Sequence, residues 1–286
     1  MRRYITILIV SAVAVFSAHA QSGSFLNVPQ TAREMAMGGV NAGSQAETVL
    51  DDAVFSASVS DYMWNPSGVS SNIAIANVAY RLGKLSVFTS DRISTYKAYP
   101  LFDSYGNQTG EYKPSELQVG LGAAYKILPG LAVSVSAEYI GTNLTADVKK
   151  SAFCADINAV FRLKSLTAGA TIANVGTGNM PMLMEVGARN EFGFGPAVKL
   201  GVGLDAGYMA QGLNNSIVAS AGVDLKLINM ISVMAGYHFS TNTAFEPSYI
   251  SAGLGVDIAM IKISASYLTG NPYIGNTLGF SLGCAF

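Results

Sequence analysis

Leu131-Ala132-Val133-Ser134-Val135-Ser136-Ala137-Glu138-Tyr139-Ile140 alternates residue by residue. Leu131, Val133, Val135, Ala137 and Tyr139 share one face, and Ser134, Ser136 and Glu138 share the other. Successive side chains of a strand point to opposite faces, so this stretch reads as a strand dividing an apolar from a polar region. The pattern returns along the chain. In Ser115–Lys126, Leu117, Val119, Leu121, Ala123 and Tyr125 oppose Glu116, Gln118, Gly120, Gly122 and Lys126. In 198–209, Val198, Leu200, Val202, Leu204, Ala206 and Tyr208 oppose Lys199, Gly201, Gly203, Asp205 and Gly207. In 217–227, Ala219, Ala221, Val223 and Leu225 oppose Ser220, Gly222, Asp224 and Lys226.

A soluble β-sandwich also alternates, and composition separates the two. Half of the 286 residues are hydrophobic and 12% are charged, where soluble domains carry about 25% charge. A soluble surface of this extent needs more charge. Yet past residue 20 no apolar stretch reaches the roughly 20 residues of a spanning helix. Strands closed into a barrel satisfy every backbone group in lipid without helices. Glycines on the polar faces suit a crowded lumen better than a solvated surface. Tyr125, Tyr139, Tyr208 and Tyr237 fall near strand ends, where an aromatic girdle lies. The expected fold is all-β, an antiparallel transmembrane β-barrel of the cell outer membrane.

Arg2 and Arg3 precede the apolar run 4–16, and Ala18-His19-Ala20 is a small-x-small cleavage site. Residues 1–20 read as a signal peptide cleaved after Ala20. Two of the 17 basic side chains lie in that leader, leaving 15 against 18 acidic ones. That balance offers no basic surface for nucleic acid. The expected partners are outer-membrane lipid and the barrel-insertion machinery. The second expectation rests on the final apolar face, Leu278, Phe280, Leu282, Cys284 and Phe286, which resembles a C-terminal insertion signal ending on Phe286.

Thirteen strands are legible, near 72–81, 84–93, 115–126, 131–142, 151–162, 165–173, 182–190, 197–209, 216–227, 231–239, 248–257, 260–268 and 277–286. The connections alternate between short and long, and outer-membrane barrels have short periplasmic turns and longer outer loops. The stretch Glu191–Pro196 fits least, because it must be periplasmic and is not short. On this orientation the strand at 72–81 runs inward. With the mature chain starting in the periplasm, an earlier segment has to cross outward. Phe55, Ala57 and Val59 alternate with Ser56, Ser58 and Ser60, so 53–62 is that crossing, as a wall strand or as a lumen plug. A wall strand there gives fourteen, an even number as bacterial barrels prefer. The expected organisation is 1–20 signal peptide, 21–52 N-terminal plug segment and 53–286 barrel.

Catalytic and metal-binding patterns are not evident, and no cofactor is expected. His238 is the sole histidine of the mature chain and reads as a hydrogen-bonded lumen residue. There is no P-loop and no metal-spaced cluster. The loop Asp103–Gly110 lacks the spaced acids of an EF-hand. Cys154 and Cys284 fall on opposite faces of the wall and cannot meet. Charges of both signs recur on the lumen face: Glu116, Lys126, Glu138, Asp156, Arg162, Lys199, Asp205, Asp224, Lys226, Asp257 and Lys262. A pore favouring one ion sign shows a ring of one charge, so internal ion-pair networks and an occupied lumen are expected.

Two stretches carry a family resemblance. Phe25-Leu26-Asn27-Val28-Pro29, Thr31-Ala32-Arg33, Ala36-Met37-Gly38-Gly39-Val40 and Trp64-Asn65-Pro66-Ser67-Gly68 follow one another. They resemble the opening of the PorV/PorQ outer-membrane proteins, with an FLxxP-x-x-AR segment, a GG pair and an NPAG-type motif. Phe102-Asp103-Ser104-Tyr105-Gly106-Asn107-Gln108-Thr109-Gly110 resembles that family's DE-x-G-N-x-TG loop, and Asn174-Val175-Gly176 and Gly253-Leu254-Gly255 also fit. The chain departs from the pattern in an insertion, Val54–Tyr62, and in one fewer recognisable strand after the NPAG-type motif.

The resemblance implies a fourteen-stranded barrel similar to the fatty-acid transporter FadL, with an N-terminal segment in the lumen. It also implies a plug and lumen motif at Met35, Gly38, Gly39, Trp64, Asn65 and Pro66. An outer-loop motif is implied at Phe102, Asp103, Gly106, Asn107 and Gly110. The function expected is a non-enzymatic, type IX secretion-associated barrel or a scaffold for secreted or surface proteins. The alternative is a FadL-like passive channel for small hydrophobic molecules, its gated pocket lined by Phe25, Leu26, Met35 and Met37.

Overall fold

A computed structural model describes residues 23–64, 71–146, 149–270 and 275–286. The signal-peptide reading and the motif residues Asn65 and Pro66 lie outside these. Fourteen antiparallel strands close into a barrel. They are β1 (Phe55–Trp64), β2 (Ser71–Leu82), β3 (Leu85–Tyr96), β6 (Ser115–Leu128), β7 (Leu131–Asn143), β8 (Lys149–Leu163), β9 (Leu166–Gly176), β10 (Met182–Phe194), β11 (Val198–Gln211), β12 (Asn214–Leu227), β13 (Ile231–Ser240), β14 (Tyr249–Ile258), β15 (Ile261–Thr269) and β16 (Thr277–Ala285). Two further short strands, β4 (Tyr99–Phe102) and β5 (Gln108–Tyr112), pair as a separate hairpin in the connection from β3 to β6. All thirteen expected strands are present.

The undecided segment is a wall strand. β1 pairs with β2 from Phe55↔Tyr80 to Trp64↔Ser71 and with β16 from Ser56↔Ala285 to Met63↔Leu278. It therefore closes the barrel, and Phe286 locks the seam. The Phe286 carbonyl accepts from the amides of Val54 (2.7 Å) and Phe55 (2.9 Å), and its ring packs 5.1 Å from that of Phe55. The awkward stretch near 191–196 resolves because β10 runs on to Phe194, leaving a short inner turn at 195–197. One outer connection is short rather than long: β11 and β12 pair out to Gln211↔Asn214, leaving a tight turn at Gly212-Leu213.

Alternation sorts side chains as expected. Leu117, Val119, Leu121, Val135, Val186, Leu204 and Phe280 are exposed on the exterior, while Glu116, Gln118, Ser134, Ser136 and Ser281 are buried within. Exposed Tyr80 and Tyr125 lie near the inner ends of their strands, and Tyr139, Tyr208, Tyr237 and Tyr267 near the outer ends. These mark the two interfaces of a lipid-embedded wall. Among the described residues no helix is long and apolar enough to cross a membrane, so the crossing is made by strands. A closed barrel with this exterior is an outer-membrane protein. Cys154 is buried inside, Cys284 sits on the outer face, and both are free.

Residues 23–52 fold inside the barrel. They form a 3-10 turn (Ser24–Asn27) and two short helices, α1 (Ala32–Ala36) and α2 (Ser44–Glu47). The first described residue, Gly23, stands at the outer mouth rather than on the periplasmic side from which the segment was expected to cross. The Gly23 amide donates to Glu116 at the outer end of β6, and a Cβ on Gly23 would meet the outer-loop residues Pro181 and Met180. Further on, Asp51 pairs with Arg162 at the inner end of β8. The segment thus descends from the outer mouth to the inner rim, and β1 climbs back as wall.

Candidate functional site: the plugged lumen

The plug is shaped by local rules. Thr31 caps α1, its hydroxyl accepting from the Glu34 amide at 3.2 Å, while the Glu34 carboxylate reaches back to the Gln30 amide at 2.9 Å. This is a capping-box arrangement shifted by one residue. Burial raises the Glu34 carboxyl above its ordinary range, against the lowering effect of those amides. Gly38 and Gly39 end the helix at φ +75° and +88°. A Cβ on Gly38 would lie 2.7 Å from the Tyr237 amide nitrogen and 2.9 Å from the Ala221 carbonyl. The wall yields space in turn. A Cβ on Gly222 would lie 2.3 Å from the Met37 carbonyl, one on Gly236 2.1 Å from the Gly38 amide, and one on Gly203 2.6 Å from Val40. Gly222 and Gly236 thus make room for plug backbone, and Gly203 for the Val40 side chain.

Two different sets of contacts hold the plug. At the inner end Arg33 pairs with Asp224 (2.8 Å) and Asp257 (2.9 Å), and Lys226 pairs with Asp257 (2.6 Å). Glu47 pairs with Arg189 and lies 3.6 Å from Arg162, which also holds Asp51 at 2.9 Å. These are the expected networks. In the outer half the expectation fails. Glu116, Glu138, Asp156 and Asp205 have no ion-pair partner within 4 Å among the described residues. They accept from neutral donors instead: Tyr96 and the Gly23 amide for Glu116, Gln118 for Glu138, the Asn174 amide for Asp156, and the Asn41 and Ala42 amides for Asp205. Near the inner rim, Lys126 and Lys262 show no ion pair among the described residues, while Lys199 pairs with Glu191 at 2.9 Å.

Arg92 is the outer cation that the sequence reading passed over. It is buried, and its Nη1 donates to the carbonyls of Phe25 (3.2 Å), Leu26 (2.9 Å) and Val28 (2.5 Å). Its position in register with Ser86, Ser90 and Ser94 on β3 was the available signal. Above it, Phe25, Leu26, Val28 and Met35 pack with the inward-facing Ile73, Ile75, Ile140 and Leu268. An apolar layer inside a barrel lumen is unusual, because lumens are polar as a rule.

Ser220, His238 and Glu246 stand together, with Ser220 Oγ 3.0 Å from His238 Nδ1 and Glu246 Oε1 3.5 Å from Nε2. The order is that of a hydrolytic triad, but a triad also needs free donors for an oxyanion. The neighbouring amides are committed, Gly38 to Met35 and Ser251, and Gly39 to Glu34. The trio instead fastens the outer loop 241–248 to the plug, with Asn27 donating to Glu246 at 2.7 Å. Burial pushes the Glu246 carboxyl up to about 7, with the Asn27 bond opposing. Among the described residues no group of three or more His, Cys, Asp or Glu is placed to hold a metal.

The sequence-derived site residues scatter among three places. Met35, Gly38 and Gly39 lie in the plug, Met35 fully buried. Trp64 ends β1 opposite Ser71. Phe102, Asp103, Gly106, Asn107 and Gly110 make the β4–β5 hairpin. There Asp103 Oδ1 accepts from the amides of Tyr105 (2.8 Å) and Asn107 (2.9 Å), and Gly106 takes φ +85°. Those bonds, the one from Asn107 first, hold the Asp103 carboxyl below its ordinary range. The aspartate shapes the turn, and Phe102 and Tyr105 stand out at 61% and 89% exposure.

Two cavities flank the plug. The upper, about 110 Å³, is bordered by Asn27, Gln118, Glu138, Asp156, Glu185 and Glu246. The lower, about 290 Å³, opens among the inner ends of β1, β2, β3 and β16.

Solved structures share this architecture. The Pseudomonas putida toluene transporter TodX superposes with a TM-score of 0.56 at 11% identity, covering 90% of this chain and 97% of its own. The monoaromatic hydrocarbon channel CymD gives 0.59 at 11% identity, covering 91% and 98%. The Acinetobacter baumannii outer-membrane protein Omp33 gives 0.50 at 12% identity, covering 82% and 98%. No protein-family model and no curated protein matches the sequence. At such identities the likeness is one of fold, and the fold is the FadL/TodX-like outer-membrane barrel.

Proposed function

We propose that this chain is a passive outer-membrane channel for small molecules of apolar character. The observation that carries the reading is the apolar layer in the outer lumen, Phe25, Leu26, Val28, Ile73, Ile75, Ile140 and Leu268. This layer joins plug to wall, and an apolar solute entering from outside needs such a surface to leave water. The transport described for TodX and CymD on the same fold supports this over a secretion role. The test is uptake of a small aromatic hydrocarbon, toluene, by cells with and without the protein. Faster uptake is expected, and uptake equal to the deletion strain overturns the reading.

A second reading keeps the PorV/PorQ resemblance, as a scaffold for secreted or surface proteins in type IX secretion. The exposed Phe102 and Tyr105 on the outer hairpin favour it, since aromatic anchors of this kind serve protein interfaces. Native purification from the envelope tests it: a stable protein partner lost on Tyr105→Ser is expected, and recovery as a lone barrel counts against it.

A further inference from the structure

We propose that the inner rim of the barrel is a phospholipid-binding surface. Its turns set apolar tips among the headgroups of the inner leaflet, and Lys84 and Lys164 take the phosphates there. The inference goes beyond the channel reading and stands without it.

Each turn joining two strands at the inner end carries a large apolar side chain at or beside its tip. Leu82, Leu128, Leu163, Phe194, Ile228 and Met260, one from each turn, are all more than half exposed. The outer connections differ. Among the described residues only Phe102, Tyr105 and Leu213 stand out there. Contiguous exposed apolar surface of this kind marks an interaction site. Ile228 carries the point furthest. Its φ is +47°, a left-handed conformation that β-branched residues avoid and that Gly or Asn fits. It is exposed as well, so this isoleucine suits neither the turn nor the interior of the protein. A surrounding that accepts apolar side chains accounts for it.

Position identifies that surrounding. Leu82 shares the outward face of Tyr80, Leu163 that of Phe161, and Phe194 that of Phe192. The tips therefore continue the lipid-facing wall past its inner aromatic residues. Two residues at about 3.4 Å each, tilted by about 40°, reach roughly 5 Å further. The headgroup layer is about 5–7 Å deep on each side of the hydrocarbon, so the tips end within it. A protein partner covers one sector of a rim, whereas these tips run round all of it.

Charge agrees. Lys84 and Lys164 lie in the turns β2–β3 and β8–β9, are exposed, and make no ion pair among the described residues. Exposed Asp51 and Glu191 at this end are paired with Arg162 and Lys199, and Asp52 lies on the link from plug to β1 rather than on a turn. Lysine lays its alkyl stem along apolar surface and carries its ammonium to the phosphates. The lower cavity opens among the inner ends of β1, β2, β3 and β16, so its mouth lies level with the headgroups.

The experiment refolds the mature protein into vesicles of phosphatidylcholine with phosphatidylglycerol, and heat-modifiable gel mobility confirms that each variant is folded. Trp64→Phe removes the single native tryptophan. In that background Leu128→Trp and Leu163→Trp report on the inner rim, and Tyr105→Trp on the outer hairpin. Lipid brominated near the headgroup should quench the rim tryptophans about threefold more than Tyr105→Trp, with acrylamide in the water doing the reverse. Rim tryptophans as open to acrylamide as Tyr105→Trp overturn the immersion and leave the ring as a surface for a periplasmic protein. For the lysines, phosphatidylglycerol should raise the melting temperature above that in phosphatidylcholine alone. Lys84→Gln combined with Lys164→Gln should remove about half of that rise. A rise unchanged in the double variant overturns the phosphate contact. Toluene uptake is read separately, so the channel reading stands or falls on its own.

Discussion

At the inner end of the lumen Arg33 lies between Asp224 and Asp257, its side chain 25% exposed. At the outer end Arg92 lies buried against three backbone carbonyls, and the carboxylates around it take neutral donors. Water decides the difference. Near the rim, solvent lowers the cost of desolvating an ion pair, so charges of both signs gather there. Deeper, each ion must be compensated by hydrogen bonds in place. Partial exposure also screens the inner network, so several short ion pairs there contribute less than their distances suggest. One plug is thus held by exchangeable charges below and by dry, directional contacts above.

Five substitutions or conditions press on this comparison. The largest effect is expected between the two regions, at Gly38→Ala. The new methyl group meets backbone on two strands in a left-handed conformation. Overpacking with the φ penalty costs about 3 kcal/mol, read as a lowered midpoint of denaturation. Next comes Arg92→Met, which strips charged donors from the outer limb at about 2 kcal/mol. Hydrogen exchange should quicken at 24–28 while the wall strands stay protected, with little dependence on salt. Arg33→Ala should cost about 1 kcal/mol, because exposure discounts the pairs and Lys226 still holds Asp257. Its cost should shrink in 0.5 M salt. If Arg33 and Arg92 respond alike to salt, the contrast between the two ends is wrong.

Acidity gives the next probe, at the outer end. The Glu246 carboxyl is raised to about 7 in the folded protein, from an ordinary value near 4.3 when unfolded. A raised carboxyl stabilises the fold while protonated. The contribution is complete below the unfolded value and is lost as pH rises through about 7. Loop 241–248 should therefore exchange faster at pH 8 than at pH 6, after correction for intrinsic rates, and Glu246→Gln should abolish the difference. The smallest effect is Asp103→Ala. It should loosen only the β4–β5 hairpin, visible as faster exchange at 103–107, and leave the melting temperature unchanged.

Alternation made the wall legible because a strand's period and its two environments are both local. Parity then exposed β1, whose apolar positions are too few to identify it alone. The hairpin β4–β5 escaped because Phe102 and Tyr105 face solvent on both sides and carry no alternation. The direction of the plug escaped for another reason. It is set by contacts such as Gly23 with Glu116 and Arg33 with Asp224, which join residues far apart in the chain. The same distance hid the upper chamber, built from β3, the strands β6 to β14 and the plug. Gly222 and Gly236 were legible as signs of crowding, but not of which backbone crowds them.

The link from plug to wall is very short. Asp51 is fastened to Arg162, and β1 begins at Phe55, so the chain between can stretch only about 10 Å. The plug is therefore tethered like a clapper, hinged at the inner rim, with its swing at the outer mouth opposed by the bonds to Arg92. It cannot leave the barrel as a body without first unzipping β1 from both neighbours. Any opening of the lumen in the intact barrel is a swing or a local melting, largest near Phe25 and vanishing toward Asp51.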